Sequence, residues 1–179
     1  MRIATWNVNS LNARLPRVEE WLADVQPDVL CMQETKLADS AFPAMAFQAL
    51  GYDSVHHGDG RWNGVAILSR VGLDDPLVGF TPDLEPDTDT RLVSATCGGV
   101  RVASVYVPNG RALGDPHYDY KLSWLERLRG HLEATCDPES DVVVCGDFNI
   151  APDDLDVWDP KAFEGSTHVT PPEREALAH

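Results

Sequence analysis

Asparagine, carboxylate and tyrosine side chains recur at one kind of place in this sequence, the polar end of an apolar, strand-like run. Asn7 and Asn9 lie late in residues 2–9, Glu34 closes the run 28–33, Tyr106 and Asn109 close the run 100–107, and Asp147 and Asn149 follow 142–145. In layered α/β proteins ligands favour the crevice at strand ends, so groups placed this way can converge. Glu34 and Asp147 offer anionic oxygens, and Asn7 and Asn149 offer neutral ones. That mixture suits Mg2+, a hard cation that takes one or two carboxylates and keeps the rest of its shell for water and phosphate. Each residue also has a plainer reading. Asp and Asn in Gly146-Asp147-Phe148-Asn149 are ordinary turn residues, and Glu34 with Lys36 reads as a surface ion pair. Asn7 reads as a partner for nearby backbone, and Tyr106 as a core residue with its hydroxyl tied off. Taken singly, none identifies a site.

The elements that must hold these residues follow from periodicity. Residues 2–9 alternate as a strand, with Ile3, Thr5, Asn7 and Asn9 on one face and Ala4, Trp6 and Val8 on the other. A helix follows, with Asn12 as its N-cap and Leu15, Val18, Trp21, Leu22 and Val25 as its apolar stripe, stopped by Pro27. Residues 28–33 form a strand buried on both faces. A short helix over 43–50 ends at Gly51, strands 52–56 and 65–69 flank a turn-rich tip, and Gly98-Gly99 joins strands 92–96 and 100–107 as a hairpin. Asp115-Pro116 opens a long helix whose stripe is Tyr118, Leu122, Leu125, Leu128 and Leu132. Residues 142–145 read as another buried strand. Thr170-Pro171-Pro172-Glu173 is a helix start of the capping-box kind. Strands and helices in alternation predict an α/β domain.

Composition narrows the function classes. The 179 residues are 43% hydrophobic, enough to build a core for a single domain. No run approaches bilayer-spanning length, and the start Met1-Arg2-Ile3-Ala4 has no signal-peptide h-region, so a cytoplasmic protein with no membrane partner is expected. Cys31, Cys97, Cys136 and Cys145 are scattered without metal spacing; Cys31 and Cys145 read as small buried side chains. The net charge of −15 speaks against a simple nucleic-acid binder, which carries a basic face. The acid is concentrated in residues 71–90 and 137–160, which contain no Lys or Arg and read as solvated loops or as a cation site. Asp153-Asp154-Leu155-Asp156 fails as a calcium loop, since neither the glycine nor the closing Glu is in place. No GxSxG and no phosphate-binding GxxxxGK[ST] occurs, which removes serine-nucleophile and P-loop chemistry.

Five strings occur in order: Thr5-Trp6-Asn7-Val8-Asn9-Ser10-Leu11, Gln33-Glu34-Thr35-Lys36, Asn63-Gly64-Val65-Ala66-Ile67-Leu68-Ser69-Arg70, Tyr106-Val107-Pro108-Asn109-Gly110 and Gly146-Asp147-Phe148-Asn149-Ile150. Together they resemble the exonuclease III type of AP endonuclease, within the endonuclease/exonuclease/phosphatase superfamily. The resemblance implies a four-layer α/β sandwich, two packed mixed β-sheets flanked by helices, with the site at strand ends. It implies a Mg2+-dependent DNA phosphodiesterase of base-excision repair, with Mn2+ as a possible substitute. Such an enzyme acts as a monomer on double-stranded DNA at abasic sites or 3′ ends. By that resemblance Glu34 is the principal metal ligand, with Asn7 beside it. Asp147 orients or deprotonates the attacking water and also serves the metal, as does Asn149, which holds the scissile phosphate. Tyr106 is a hydrogen-bond donor or acid close to that phosphate.

Other positions carry less information. Asn109, Arg111 and Lys121 read either as DNA contacts or as ordinary loop and helix polar groups. Arg61-Trp62 sits on the turn-rich tip as a basic–aromatic pair, with an idle surface loop as the alternative. His56-His57 reads as a strand end. The resemblance also implies elements not found in these 179 residues: further strands of the second sheet, two Asp and the His of an Asp-His pair. The expectation is thus one domain, truncated on its C-terminal side with its second sheet incomplete. A non-catalytic relative that binds metal or DNA weakly, or a phosphodiesterase or phosphatase on another substrate, stay open as alternatives.

Overall fold

Period-two apolar runs build the strands of this chain, and the way each run divides its side chains decides what packs where. The computed structural model describes residues 1–81, 84 and 87–178; Pro82, Asp83, Glu85, Pro86 and His179 lie outside them. Two compact units result, Met1–Tyr106 with Cys136–Asp147, and Val107–Thr135 with Phe148–His179.

The first unit contains both sheets. β1 (Ile3–Asn7) and β2 (Val29–Gln33) run parallel with Asn7 opposite Gln33. β3 (Asp53–His57) and β4 (Val65–Ser69) complete an antiparallel extension in the order β1-β2-β4-β3. The second sheet keeps chain order: β5 (Asp74–Val78), β6 (Leu92–Cys97), β7 (Val100–Tyr106) and β8 (Val142–Asp147). Its last pair, β7 and β8, is again parallel, with Tyr106 opposite Asp147. Both sheets are therefore mixed, and each carries one parallel pair whose C-terminal ends are in register.

β2 shows how the layers stack. Val29 and Cys31 join Val65, Ile67, Val93, Ala95, Cys97 and Val102 in the core between the sheets. Leu30 and Met32 turn the other way, onto Val18 and Leu22 of α1 (Leu11–Val25) and Phe47 of α2 (Ala44–Ala49). A strand buried on both faces is what its continuous apolar run predicts. Below the strand ends a polar link also joins the sheets: Gln33 Nε2 donates to Thr5 Oγ1 at 3.1 Å and to Ser104 Oγ at 3.2 Å, and Ser104 Oγ donates to the Met32 carbonyl. Gln33 and Ser104 are buried, so these donors and acceptors satisfy one another where water does not reach.

Three expectations change. β5 falls within the acidic stretch read as loop or cation site. It is an outer strand carrying Asp74, Asp75 and Pro76 with a register shift before Leu77, and charge and proline are tolerated on an edge. β8 is longer than expected and only half-buried, Val142 being 36% exposed, because among the described residues it has a neighbour on one side only. The first helix begins at Leu11 after Ser10, so Asn12 lies inside it and is not the cap.

The second unit holds α3 (Pro116–Thr135), α4 (Pro160–Phe163) and α5 (Pro171–Ala178). Asp115 caps α3 as expected, accepting from the His117 amide at 2.8 Å. Its fully buried positions are Lys121, Trp124, Leu125, Leu128 and His131. The leucine stripe was expected to fill this face; Leu122 and Leu132 are instead only partly covered. Thr170 and Glu173 form the capping box of α5: Thr170 N donates to Glu173 Oε2 at 3.1 Å, and Glu173 N donates to Thr170 Oγ1 at 3.4 Å. Among the described residues no helix is long and apolar enough to cross a membrane.

Candidate active site

The four strand ends of the two parallel pairs bring Asn7, Glu34, Tyr106 and Asp147 together. Asn7 Nδ2 donates to Glu34 Oε1 and to Asp147 Oδ2, both at 2.8 Å, so one amide ties a carboxylate of the first sheet to a carboxylate of the second. Asn7 is itself oriented by the Asn9 amide, which donates to its Oδ1 at 3.0 Å. Lys36 Nζ sits 3.0 Å from Glu34 Oε2 and donates to Asn9 Oδ1 at 2.6 Å. The sequence reading of Glu34 and Lys36 as a pair is right, but the pair is three-quarters buried and belongs to the site.

Burial alone would raise the Glu34 carboxyl. Donations from Asn7, Lys36 and Tyr106, with the Lys36 charge, outweigh it and hold Glu34 below the usual carboxylate range. The Tyr106 hydroxyl moves the other way, pushed up to about 12 by burial and then by the Glu34 charge. Arg91, which sequence reasoning missed, lies over the Tyr106 ring with its guanidinium carbon 4.7 Å from the centroid, and is anchored by Asp89 at 2.8 Å.

The backbone carrying these groups is unusual. Asn9, Ser10, Glu34 and Lys36 all have positive φ, a sparsely populated region that costs on the order of 1–3 kcal/mol per residue. The surrounding structure over-determines it. Ser10 N donates to the Glu34 carbonyl, Leu11 N to the Thr35 carbonyl, Thr35 N to Gly64 and Lys36 N to Asn63, all within 3.1 Å. Thr35 Oγ1 meets His56 Nε2 at 2.8 Å, and His56 Nδ1 lies 2.8 Å from Asp39 while its ring stacks on Phe42. The expected strand-end His56 thus buttresses the Glu34 turn from below. Gly146 is required by shape: a Cβ there would stand 1.9 Å from the Val105 carbonyl oxygen.

Asn109, Arg111, Lys121 and Asn149 belong to the second unit. Asn149 Nδ2 donates to the Val107 carbonyl at 3.0 Å, and Asn109 Nδ2 donates to Asn149 Oδ1 at 3.3 Å. Arg111 is exposed, with its amide tied to Asn109 Oδ1. Lys121 requires a correction. It is neither a DNA-facing cation nor a solvated one: it is 0% exposed, with Nζ 2.6 Å from Glu173 Oε1, 2.5 Å from the Asn149 carbonyl and 3.4 Å from the Asn109 carbonyl. Glu173 also accepts from Thr167 Oγ1, His168 N, Thr170 N and Thr170 Oγ1. Against the effect of burial, the Lys121 and Thr167 donations lead in lowering its carboxyl to about 2. The Thr170-x-x-Glu173 cap was legible; its partner 52 residues away was not. Arg61 and Trp62 lie on the surface in the first unit, Trp62 68% exposed.

A divalent cation can be tested against the first cluster by its donors. Two carboxylates and amide groups, without a thiolate or imidazole among them, fit a hard ion. No group of three or more His, Cys, Asp and Glu occurs among the described residues, so an ion held here would draw much of its shell from water and phosphate.

Residues 4–177 match the family described as Endonuclease/Exonuclease/phosphatase. The chain belongs to this family. Among its members, exodeoxyribonuclease III of Haemophilus influenzae is 34% identical over 165 residues, covering 88% of this chain and 60% of that protein. The DNA repair nuclease APEX1 of Danio rerio is 31% identical, covering 99% and 58%. The chain therefore spans about three-fifths of the length of these relatives. An AP endonuclease from Archaeoglobus fulgidus superposes with a TM-score of 0.94 at 41% identity, over 99% of this chain and 68% of that one. A 3′ phosphatase from Neisseria, bound to a product DNA hairpin, gives 0.95 at 43% identity over 99% and 69%. The expected fold, two mixed sheets with flanking helices, is that of these family members.

Proposed function

We propose that this chain belongs to a DNA-repair phosphodiesterase that uses Mg2+, or Mn2+ in its place, to hydrolyse phosphate esters at abasic sites and 3′ ends of double-stranded DNA. The observation that carries the reading is the Asn7 bridge between Glu34 and Asp147 at the ends of two parallel strand pairs. Relatives named as exodeoxyribonuclease III and AP endonuclease, and a neighbour holding product DNA, support the substrate class. Glu34 and Asn7 would hold the cation, with Asp147 and Asn149 contributing. When bound, it would polarise a phosphate oxygen and stabilise the leaving oxygen. Asp147 would orient the attacking water and take its proton. Asn149 would hold the scissile phosphate. Tyr106, whose hydroxyl is pushed up to about 12 and so stays neutral well above physiological pH, would donate a hydrogen bond to charge that develops in the transition state. Asn109 and Arg111 would meet the DNA backbone. A reducing compartment fits four cysteines scattered along the chain without paired spacing, and the protein would act as a monomer.

The test is incision of a duplex bearing one abasic site in the presence of Mg2+. The 179-residue chain is assayed beside the same chain continued by the downstream segment found in relatives. Incision by the longer form, abolished by chelation and by Asp147→Asn, is the expected result. No incision by either form would overturn the proposal, and cleavage of an inositol or lipid phosphate instead would redirect it within the family.

A further inference from the structure

Lys121 and Glu173 form a fully buried ion pair that makes no contact with solvent, and the lysine also reaches the backbone of two residues with proposed roles at DNA. The Lys121 ammonium donates to Glu173 Oε1, to the Asn149 carbonyl and to the Asn109 carbonyl. Thr167, whose one hydroxyl hydrogen goes to Glu173 at 2.7 Å, also places its Oγ1 3.3 Å from the Asn109 carbonyl. His168, whose amide donates to Glu173, places Nδ1 2.5 Å from the Asn149 carbonyl and Nε2 3.4 Å from Asn109 Nδ2. Asn149 and His168 both have positive φ, so without these anchors the chain would relax out of this conformation. Gly110 leaves the room the lysine stem needs: a Cβ there would lie 2.8 Å from Thr167 Oγ1 and 3.1 Å from Lys121 Cδ. An apolar pair of similar volume would hold α3 and α5 together without the cost of burying two charges. Burial of charge at this point is explained by what the charges orient.

We infer that Lys121 and Glu173 are positioning residues, a buried ion-pair cage that sets the side-chain amides of Asn109 and Asn149 in the geometry that receives a DNA phosphate. The inference rests on the proposed phosphodiesterase reading for its consequence, but the cage itself can be read without activity. In the longer form assayed above, Lys121→Met alone leaves Glu173 buried without its counter-ion and is expected to be strongly destabilised; Lys121→Met with Glu173→Leu removes both charges and keeps the fold. In that double variant the Nδ2 proton resonances of Asn109 and Asn149 should shift and exchange faster while those of Asn7 stay in place. The kcat for incision should fall about 10²-fold, the scale of a small misplacement of a catalytic group. The decisive arm is the Asn149→Ala background. There the double variant should cost little further, because the group it positions is already gone. A double variant that folds, keeps the Asn109 and Asn149 resonances and loses no activity would overturn the inference, as would an equal loss with and without Asn149. If the wild type incises nothing, the proposed function fails; unchanged resonances then still sink the cage, and shifted ones support it.

Discussion

The chain uses the same chemical material twice, an acid, a lysine, asparagines and strained backbone, and arrives at opposite outcomes. In the first unit Glu34, Asp147 and Lys36 are gathered by Asn7 and Asn9, and Glu34 remains 20% exposed with its carboxylate below its ordinary range. In the second, Lys121 and Glu173 are 0% exposed, and Glu173 accepts five hydrogen bonds from its own chain. One cluster keeps anionic oxygen within reach of a ligand; the other consumes its charge internally to fix a shape. A charged residue in a family motif therefore says nothing about its role until its partners are known.

That contrast can be broken at its open end first. Asp147→Asn is nearly isosteric and leaves the register of β7 and β8 intact, so it should lower incision by about 10²–10⁴-fold, the usual worth of a positioned acid–base group. Its thermal unfolding should stay close to wild type. Glu34→Gln should weaken the response to Mg2+ in the same assay. A variant that loses stability and activity in parallel would show that the acid pair is structural, and the two regions would then be alike.

The closed end predicts the reverse. Lys121→Met should destabilise the protein by about 3–5 kcal/mol, because a lone buried carboxylate remains. Chemical denaturation measures it, and a loss under 1 kcal/mol would mean that water reaches Glu173. Acid titration gives the same point through linkage. The Glu173 carboxyl is lowered from the ordinary value near 4.3 to about 2 in the folded chain. A lowered acid contributes its full stability above the unfolded value and loses it as pH falls through the folded one. The wild type should lose on the order of 3 kcal/mol between pH 4.5 and 2, and the Lys121→Met/Glu173→Leu variant should lack that part of the acid limb.

How much of this was legible in the sequence also divides between the two regions. Asn7, Glu34, Tyr106 and Asp147 were found because each closes an apolar run, and period-two alternation fixes where a strand ends. The polar link Thr5–Gln33–Ser104 was not, since only sheet-on-sheet packing places Ser104 beside Gln33, 71 residues away. β5 was lost because Asp74-Asp75-Pro76 carries loop chemistry, which an edge strand accepts. In α3 the sequence suggested a stripe of Tyr118, Leu122, Leu125, Leu128 and Leu132, of which Leu125 and Leu128 are buried. Beside them the helix buries Lys121, Trp124 and His131 in place of Tyr118, Leu122 and Leu132, a rotation that periodicity disfavours because it sends a charge inward. The capping box at Thr170 was read correctly as a helix start, yet the same Glu173 is the counter-ion that makes Lys121 burial tolerable. Local grammar reports the cap; the ion pair is a tertiary fact.

Tyr106 gives the smallest and sharpest of the expected effects, because it tests whether the open cluster sets protonation states and not only positions. Burial and the neighbouring Glu34 charge push its hydroxyl up to about 12, so it remains a neutral donor through the range in which an ordinary tyrosine ionises near 10. The pH–rate profile for incision should therefore show no loss attributable to Tyr106 between pH 9 and 10.5, and Tyr106→Phe should lower the rate by a constant factor across that span. The sign for stability agrees. An acid whose folded value is raised keeps its contribution below the unfolded value and loses it only as pH climbs toward the folded one. Removing the Glu34 charge by Glu34→Gln leaves burial, the largest cause, and the smaller Asp147 charge in place, and the tyrosine ultraviolet titration should move part of the way back toward 10. A midpoint that stays in place would leave burial and the Asp147 charge as the causes, and Glu34 would then hold less of the field than the geometry assigns it.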